Sequence, residues 1–506
     1  MPILQSPPLR DWLVLAGLMT MVFALLVLAD GLHRRRLASS EVTRKTVHLL
    51  TGIFILACPW LFLTPLPLII LAALFIIVNG LALRYHFFTG IQVTTRPTLG
   101  TVFYPISFFI LVLLFWERER TALVVGMSLL VIADVFAALA GEKAKAPIML
   151  PLPGDRKSLQ GALAMFASSA VLVFAGLRFL GPLQQFTPAW HWLLVITLAL
   201  ALLATAAEAI SWRGSDNLSV PLLCGPITAF FIHAAPEATT QFLFGEALAA
   251  LVAILSYRLR FLDAGGAIAT FILGAIIFGL GGWPFSLPIL AFFVLSSLLS
   301  KLGAQRKKAA SEKFQKSGRR DLGQVLANGA LAGVLVVIWY LQPGPLPYFL
   351  YLGAVAAVTA DTWATEIGVL SSKPPRLITS WQIVSPGASG AISNLGLFGA
   401  LLGAACIALI GWAVQLRDPA YQFGWAGVAL ITMVGALAHL FDSLLGATLQ
   451  AQQRCAVCNR VSEKKGECCG VERQPHSGWR WIDNDVVNGA CGLCGALLVL
   501  LGSGML

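Results

Sequence analysis

Hydrophobic and polar residues alternate along this chain in long blocks. Apolar stretches of roughly 17 to 22 residues, about the length that crosses the hydrocarbon core of a bilayer as an α-helix, recur from near the start to the end. Short polar segments separate them. This pattern predicts an all-α protein, a polytopic membrane helix bundle of about sixteen transmembrane helices.

The composition agrees with this fold class, since 58% of the 506 residues are hydrophobic and only 12% are charged. Such a composition excludes an ordinary soluble domain. The first apolar stretch, near residues 11–30, has no clear small-residue cleavage site and is followed by HRRR at 33–36. We therefore predict a membrane anchor at this position, not a cleaved signal peptide.

Basic residues gather in every second polar break, and the longest break, 301–322, is heavily basic. Because Lys and Arg accumulate on cytoplasmic loops, we predict that these breaks face the cytoplasm and that both termini lie outside. The formal net charge of +11 then follows from topology and from attraction to anionic lipid, so a nucleic-acid partner is not expected.

The octapeptide pattern D-x-x-A-x-x-x-G occurs once in each half, as DVFAALAG at 134–141 and as DTWATEIG at 361–368. In both halves the next Ser/Gly element opens with a serine 24 residues after the aspartate (158 − 134 and 385 − 361). This matching order predicts a tandem duplication, with one domain at 1–240 and a second at 241–506. A carboxylate within an apolar helix is costly in lipid and usually functional.

Further polar clusters lie at the predicted cytoplasmic helix ends. They are RKTVHLLTG at 44–52, GDRKSLQGALA at 154–164, GSDNLSVP at 214–221, RRDLGQVLANG at 319–329, VSPGASGAIS at 384–393, DSLLGATLQ at 442–450 and DNDVVN at 483–488. Cationic side chains and Gly/Ser loops at helix starts can hold phosphate oxygens. Carboxylates bind Mg²⁺ together with a phosphate. The set indicates phosphoryl transfer, whose catalysis is mostly electrostatic.

Each element also has a simpler interpretation. The basic residues can be topogenic charges alone, the octapeptide aspartates can cap or pair within the bundle, and most of the 47 glycines can serve helix packing. A tandem-repeat membrane transporter is a rival class, since such proteins also combine repeats, intramembrane acids and glycine-broken helices. A CTP-dependent cytidylyltransferase, which needs similar phosphate and metal ligands, is another.

These motifs resemble two known families. RKTVHLLTG, DVFAALAG, KSLQGALA and DNLSVP are similar to segments of the membrane prenol kinases, phytol kinase and dolichol kinase. The second half, with GGAIATFILG at 265–274, QVLANG, ADTWATEIG, VSPGASG, DSLLGATLQ and DNDVVN, resembles the family of plant phytyl-phosphate kinase. The resemblance implies a bifunctional enzyme of prenol salvage. Its first half would phosphorylate a prenol such as phytol, farnesol or geranylgeraniol, and its second half would convert the monophosphate to the diphosphate. The donor would be CTP or another nucleoside triphosphate, and the cofactor would be Mg²⁺.

The matching motifs lead to residue roles, which we group by chemistry. The candidate catalytic residues are His48, Asp134, Asp216, Asp361, Asp442 and Asp485. The candidate nucleotide or phosphate ligands are Arg44, Lys45, Lys157, Ser158, Gly161, Arg320, Asn328, Ser385, Gly387 and Gly390. The candidate Mg²⁺ ligands are Asp134, Asp361, Glu366, Asp483 and Asn484, with Asp216 and Asn217 as a second metal or acceptor contact.

His48 distinguishes the two halves, because it matches Gln324 when Arg44 is placed against Arg320. A neutral alcohol needs a base, so His48 is our hypothetical general base, or a ligand of the donor phosphate, with Asp134 or Asp216 as competing bases. The simpler alternative is a histidine at a helix end that is bonded to a neighbouring carbonyl. In the second half, Glu366 lies five residues after Asp361, about 140° around a helix, so one metal shared by both needs an irregular backbone.

Four of the nine cysteines lie in a polar insert at 453–481, within RCAVCNRVSEKKGECCG. This spacing predicts a structural Zn²⁺ bound by Cys455, Cys458, Cys469 and either Cys468 or His476. The other cysteines, in apolar segments, are packing residues. Similar inserts occur in bacterial members of the second family, which favours a bacterial cytoplasmic membrane. The expected partners are prenols, prenyl phosphates, a nucleotide and membrane lipids, and the sequence leaves a homo-oligomer open.

Overall fold

The computed structural model describes residues 6–34, 40–85, 98–301, 319–415, 423–459, 461–463 and 466–503. The chain separates into two compact units, Met1–Thr239 and Thr240–Leu506. The division falls one residue before the boundary expected from the repeated motifs. Each unit is built mainly of α-helices.

The first unit contains nine α-helices among its described residues: α1 Leu9–Arg34, α2 Ser40–Leu61, α3 Leu66–Tyr85, α4 Gly100–Phe115, α5 Arg120–Ser128, α6 Asp134–Lys143, α7 Leu159–Phe179, α8 Trp190–Ala209 and α9 Asp216–His233. A five-residue π-helix, Leu129–Ala133, joins α5 directly to α6. A single 3₁₀ turn, Gly181–Gln184, follows α7. Helix α10, Pro236–Arg258, runs across the boundary between the units.

The helices of the second unit are α11 Ala264–Lys301, α12 Leu322–Leu341, α13 Pro345–Gly368, α14 Asn394–Gln415, α15 Trp425–Thr448 and α16 Asn484–Gly502. Helix α11 is interrupted at Gly282, whose φ of +59° and ψ of −158° are not helical. This positive φ is readily available to glycine and rare for other residues. The long apolar segment 264–301 therefore forms two helical arms.

Helix α13 lies at the centre of the second unit and packs against α12, α14, α15 and α16. Its middle is fully enclosed, since Tyr351, Leu352, Val355 and Ala356 are all 0% exposed. Small residues on the neighbouring helices allow this close packing; a Cβ at Gly495 of α16 would lie 2.5 Å from the carbonyl oxygen of Gly353. The central position of α13 brings Asp361 close to residues of α15 and α16.

Eleven helices of the described residues are long and apolar enough to cross a membrane, judged by length and composition, and two shorter apolar helices accompany them. Large hydrophobic side chains such as Phe23, Val171 and Leu501 are well exposed, as expected where helices face lipid. The predicted fold class, a membrane helix bundle, is therefore confirmed. The prediction of about sixteen transmembrane helices is not confirmed.

The prediction of an all-α fold missed seven short strands in polar loops. β1 Arg376–Leu377 pairs with β2 Ala391–Ile392 next to the Ser/Gly loop. The other five strands, all in the insert, are β3 Gln452–Arg454, β4 Val461–Ser462, β5 Glu467–Cys468, β6 Val471–Glu472 and β7 Gln474–Ser477. They form a sheet of order β4-β3-β7 and a separate β5-β6 hairpin.

The insert ties the end of α15 to the start of α16. The N–H of Ala451 donates to the carbonyl oxygen of Ile482 at 2.8 Å, and that of Trp479 donates to Leu449 at 2.9 Å. These bonds close the insert at its base, so the strands are held directly above the two helix ends that carry DSLLGATLQ and DNDVVN.

Candidate functional site

The π-helix of the first unit directly precedes Asp134, which is the first residue of α6. Helix α2 approaches this turn closely because residue 52 is glycine; a Cβ there would lie 2.3 Å from Cγ1 of Val131. The close approach brings His48 to the same turn, with its Nε2 3.5 Å from the carbonyl oxygen of Leu130. His48 also meets the ring of Tyr104 edge-on, at 5.1 Å between centroids.

A buried ion cluster is formed by loop 154–158 and the facing ends of α8 and α9. The Lys157 ammonium donates to Glu208 and lies 3.7 Å from Oδ2 of Asp216, with side-chain exposures of 15%, 8% and 16%. Asp134 also attracts this ammonium. Burial opposes the charged lysine, but the three carboxylates outweigh it and raise the pKa of Lys157 above its usual 10.5. Three carboxylates and one ammonium leave a formal charge of −2 when all are ionised.

Two loops bring these charges together. The backbone N–H of Arg213 donates to Oδ2 of Asp155 at 2.9 Å, which joins loop 154–158 to the turn before α9. In that turn Asp216 accepts a hydrogen bond from Ser211 Oγ at 3.3 Å. Asp216 also accepts one from the N–H of Asn217 at 3.0 Å. The two loops fix one another, and Asp216 therefore lies beside Lys157.

Ser158 and Gly161 occupy the start of α7, next to the cluster. Ser158 is the N-cap, and its Oγ accepts from the N–H of Gly161 at 3.2 Å. A Cβ at Gly161 would lie 3.1 Å from the carbonyl oxygen of Ala137, so α7 packs tightly on α6. The side chains of Arg44 and Lys45, also assigned to phosphate, lie outside what the structure describes.

In the second unit, Asp361 of α13 faces α15. Nδ1 of His439 lies 3.0 Å from Oδ1 of Asp361, and the two side chains are 8% and 19% exposed. Asp442, one helical turn after His439, lies within interaction distance of the Asp361 carboxyl group. Oδ2 of Asp442 is buried and accepts no hydrogen bond from an N–H or O–H donor of the described residues, while the Asp361 carboxyl group lies within hydrogen-bonding reach of the Asp442 side chain. Such an orphaned carboxylate oxygen fits a site that is completed by a cation.

The insert adds a third carboxylate to this site. Glu463, which follows β4, acts electrostatically on Asp442 and accepts a 2.6 Å hydrogen bond from Ser389 Oγ. Ser389 belongs to the Ser/Gly loop, which packs on α15 through Gly390; a Cβ at Gly390 would lie 2.7 Å from the carbonyl oxygen of Ser443. The Ser/Gly loop, the insert and α15 thus meet at Asp442.

Glu366 does not share a site with Asp361. Helix α13 is α-helical from Pro345 to Gly368, so the two carboxylates keep the angular separation expected from their spacing. Glu366 instead attracts Arg320, at the start of α12. Arg320 and Asn328 both line a small apolar cavity.

The remaining predicted residues of the second half have other surroundings. Asp483 caps α16, with its Oδ1 accepting from the N–H groups of Asp485 and Val486 at 3.1 and 3.2 Å. Oδ1 of Asp485 is buried. Asn484 begins the helix. Ser385 is exposed, and Gly387, with a φ of +79°, forms the turn that follows it.

The four insert cysteines form a cluster in which all sulfur atoms lie within 4.8 Å of one another. The Sγ atoms of Cys458 and Cys468 are 3.7 Å apart, and those of Cys468 and Cys469 are 3.9 Å apart. A tetrahedral zinc–thiolate site with Zn–S bonds of about 2.3 Å has sulfur separations of about 3.8 Å, so the set fits zinc. The N–H of Cys458 lowers the pKa of Cys455 to about 6, which favours the thiolate. His476 is not part of this cluster.

Comparison with known proteins identifies the family. Residues 247–496 match the family described as integral membrane protein DUF92. The chain is 32% identical over 273 residues to Protein PGR of Arabidopsis thaliana, which covers 50% of this chain and 93% of that protein. It is 30% identical over 230 residues to probable phytol kinase 1, chloroplastic, of Oryza sativa, covering 42% of this chain and 69% of that protein. The chain belongs to a phytol kinase-like family of integral membrane proteins.

A second phytol kinase-like relative is the probable phytol kinase, chloroplastic, of Triticum aestivum, which is 31% identical over 224 residues, covering 42% of this chain and 72% of that protein. No solved structure matches the chain. The description of the matching family as integral membrane proteins agrees with the apolar helices of the second unit.

Sequence reasoning missed three residues of the polar clusters in this family member. Glu208 is the penultimate residue of an apolar 20-residue helix, and His439 lies within an apolar 24-residue helix. A polar residue within such an apolar helix is itself a sequence signal for a functional or paired group, and it could have identified both residues. Glu463 had no comparable signal, since it lies in a polar insert that contains several charges.

Proposed function

We propose that this protein is a membrane-embedded prenol kinase, whose first unit phosphorylates a prenol such as phytol, farnesol or geranylgeraniol. The observation that carries the proposal is the buried Lys157–Glu208–Asp216 cluster, which lies at helix ends of an apolar bundle. A lipid alcohol and a phosphate donor can meet at such a position. The similarity to probable phytol kinases supports the same reaction class.

In the first unit, Asp134 and Asp216 would hold Mg²⁺ together with the donor phosphates, and the formal charge of −2 around Lys157 favours a bound cation. A bound cation supplies charge neutralisation for the donor phosphates. Lys157, held by its carboxylate partners, contributes a positive charge at a fixed place. His48 is the proposed base for the alcohol, or a ligand of the donor phosphate, because it reaches the turn that precedes Asp134.

We further propose that the second unit converts the prenyl monophosphate to the diphosphate. A phosphate monoester is largely ionised near neutral pH, so this step has less need of a general base. Asp361 and Asp442 are the residues that would hold Mg²⁺ here, and the orphaned Oδ2 of Asp442 supports this assignment. His439 orients Asp361, and Ser389 orients Glu463.

The donor in this proposal is CTP, and both sites face the cytoplasm of a bacterial membrane, where the nucleotide and Mg²⁺ are available. The positive charge of the loops supports this orientation. Having both reactions in one chain would raise the effective concentration of the lipid monophosphate near the second site. The cysteine cluster is proposed to hold a structural Zn²⁺ that keeps the insert, and with it Glu463, in position.

The test uses the purified full chain in lipid nanodiscs with phytol and CTP that is labelled either in the γ-phosphate or in the cytidine. The proposal expects γ-label in phytyl monophosphate and then in the diphosphate. Asp134→Asn should abolish the first product, and Asp361→Asn should allow the monophosphate to accumulate without further conversion. Glu117→Gln and Glu472→Gln, at exposed positions of the two units, are the matched controls.

Other outcomes are equally decisive. Cytidine label in the lipid product would identify a cytidylyltransferase. Absence of any label transfer, with uptake of substrate into proteoliposomes, would identify a transporter. Failure of Asp134→Asn to convert added phytyl monophosphate to the diphosphate would contradict the division of labour between the units.

A further inference from the structure

A short loop beside the Lys157 cluster of the first unit exposes apolar side chains. This first surface loop, residues 143–154, begins at the end of α6, and its Ile148 and Met149 are 58% and 47% exposed. The loop is held by the N–H of Leu150, which donates to the carbonyl oxygen of Lys157 at 2.9 Å. The exposed pair is therefore fixed to the same backbone segment that carries Lys157.

This pair continues an exposed apolar side of α7. The N–H of Leu159, the first residue of that helix, donates to the carbonyl oxygen of Ile148 at 2.8 Å. Leu159 and Leu163, one helical turn apart, are both exposed. Helix α7 is long and apolar enough to cross a membrane, so this side is expected to face lipid. Ile148 and Met149 extend it beyond the start of the helix.

The second unit exposes a similar pair in the loop that follows α13. In this second surface loop, residues 371–383, Trp381 and Ile383 are 63% and 64% exposed. The N–H of Ile378 donates to the carbonyl oxygen of Gly390 at 3.0 Å, which fixes the loop to the Ser/Gly loop beside α15. Trp381 has a φ of +57°, a conformation that is rare for a bulky residue. Backbone strain of this kind is typical of positions that serve a function.

The second pair also lies near an exposed apolar helix side. Strand β1, within the second surface loop, pairs with β2, which ends two residues before α14 begins. Leu395, Phe398 and Leu402 are exposed and recur along α14 at intervals of three and four residues, so they share one side. This helix too is apolar enough to cross a membrane. In both units the exposed pair thus lies where an apolar helix side reaches the polar loops.

The size of the two patches favours a lipid surface over a protein as their partner. A stable protein interface buries about 800 Å² on each side, far more than two side chains offer. Residues that enter a membrane surface need no such area, because the lipid surrounds each of them. Tryptophan is enriched where a membrane meets water, since its ring is apolar and its N–H can be hydrated.

The charge of both loops specifies an anionic lipid surface. Lys143 and Lys145 precede the first pair, Lys373 and Arg376 precede the second, and all four side chains are exposed. Neither loop contains an acidic residue. Basic residues beside a membrane are attracted to anionic headgroups. Glu142, which is exposed on α6, adjoins the first loop, so the net charge there is smaller than at the second loop.

We propose that both surface loops rest in the headgroup layer of an anionic bilayer, with the Ile148/Met149 and Trp381/Ile383 pairs reaching its apolar border. The inference goes beyond the proposed function, because contact with lipid does not require phosphoryl transfer. It also sets the depth of both polar clusters. The first loop is bonded to the segment of Lys157 and the second to the Ser/Gly loop, so both clusters lie at the level of the lipid phosphates, where the head of a membrane lipid can reach them.

Lipid contact is mapped directly by photolabelling. The full chain is placed in nanodiscs of phosphatidylcholine, alone or mixed with phosphatidylglycerol, that contain a phospholipid with a diazirine either close to its headgroup or at the end of an acyl chain. Labelled residues are identified by mass spectrometry. We expect the headgroup-proximal probe to label both loops, and the chain-end probe to label the middle of α7 and α14 but neither loop. Phosphatidylglycerol should raise the label about two- to fivefold, and more at the second loop.

Serine variants test the role of the exposed pairs. Ile148→Ser/Met149→Ser should lower the headgroup-proximal label on the rest of the first loop about tenfold, because the apolar area that favours the membrane is lost. Trp381→Ser should have the same effect in the second loop. Thermal unfolding checks that these exposed changes leave the fold intact. Leu183→Ser, at an exposed position beyond the other end of α7, is the matched control and should leave both loops labelled as in the wild type.

The outcomes separate the inference from the proposed function. The inference fails if the headgroup-proximal probe labels only one loop or neither, if phosphatidylglycerol has no effect, or if the serine variants are labelled like the wild type. Cross-links between two copies of the chain, in place of lipid label, would instead assign the patches to a protein interface. Lipid label at both loops without any phosphoryl transfer would uphold the inference and reject the proposed function.

Discussion

Replacing Lys157 with methionine removes the ammonium that pairs with Glu208 and Asp216 and leaves these two carboxylates close together at low exposure. Breaking a buried ion pair in this way costs about 3–5 kcal/mol, because the remaining charge is neither hydrated nor paired. Mutual repulsion of the carboxylates acts in the same direction. We therefore expect Lys157→Met to destabilise the first unit by about 3 kcal/mol or more.

A double-mutant cycle tests the cause. In Lys157→Met/Glu208→Gln the buried charge is removed together with its partner, so we expect about 1–3 kcal/mol less destabilisation than the sum of the two single variants. Stability is measured by reversible denaturation of the purified chain in detergent, followed by a probe in the first unit. Lys145→Met, an exposed change of the same type in the preceding loop, is the control.

The pH dependence of this effect has a definite sign. Because the folded pKa of Lys157 is raised, its stabilising contribution is complete below the unfolded value of 10.5 and is lost only as the pH rises through the folded value. The contribution of the Lys157 ammonium itself should thus be constant between about pH 6 and pH 9. Additive single effects, or equal stabilities of Lys157→Met and Lys145→Met, would refute the reasoning.

Three further predictions concern other parts of the chain. Cys455→Ser should remove one equivalent of zinc, measured by elemental analysis, and should slow the second reaction while sparing the first. A zinc content equal to that of the wild type would contradict the assignment. Cys406→Ser is the control. Glu463→Gln keeps the size of the side chain but removes the charge that acts at Asp442, so the rate of the second reaction should fall about tenfold or more. An unchanged apparent Mg²⁺ affinity would contradict that role. Gly52→Val should separate α2 from the π-helix and lower the rate of the first reaction, with thermal unfolding as a check on folding. Gly31→Val, at a position with open space around it, is the control. Equal activities of the two variants would contradict the close approach.

The helical membrane architecture follows from sequence because blocks of apolar residues have no stable alternative in lipid. The angular separation of Asp361 and Glu366 also follows, since a regular helix fixes it. Contacts between residues on different helices cannot be predicted from the sequence in this way. Glu208 and His439 reach Lys157 and Asp361 only through tertiary packing, which sequence spacing within one segment does not encode. The same limit applies to the insert, where the positions of four sulfur atoms favour Cys468 over His476.

The π-helix before Asp134 has a consequence for how the two octapeptides are compared. A π-turn places one extra residue in its turn, so the backbone upstream of Asp134 is shifted in register relative to a regular α-helix. The helix upstream of Asp361 is regular from Pro345 onward. An alignment that equates the two aspartates therefore needs a one-residue gap just before them. Substitutions transferred from one half to the other without that gap would change residues on the wrong side of the helix.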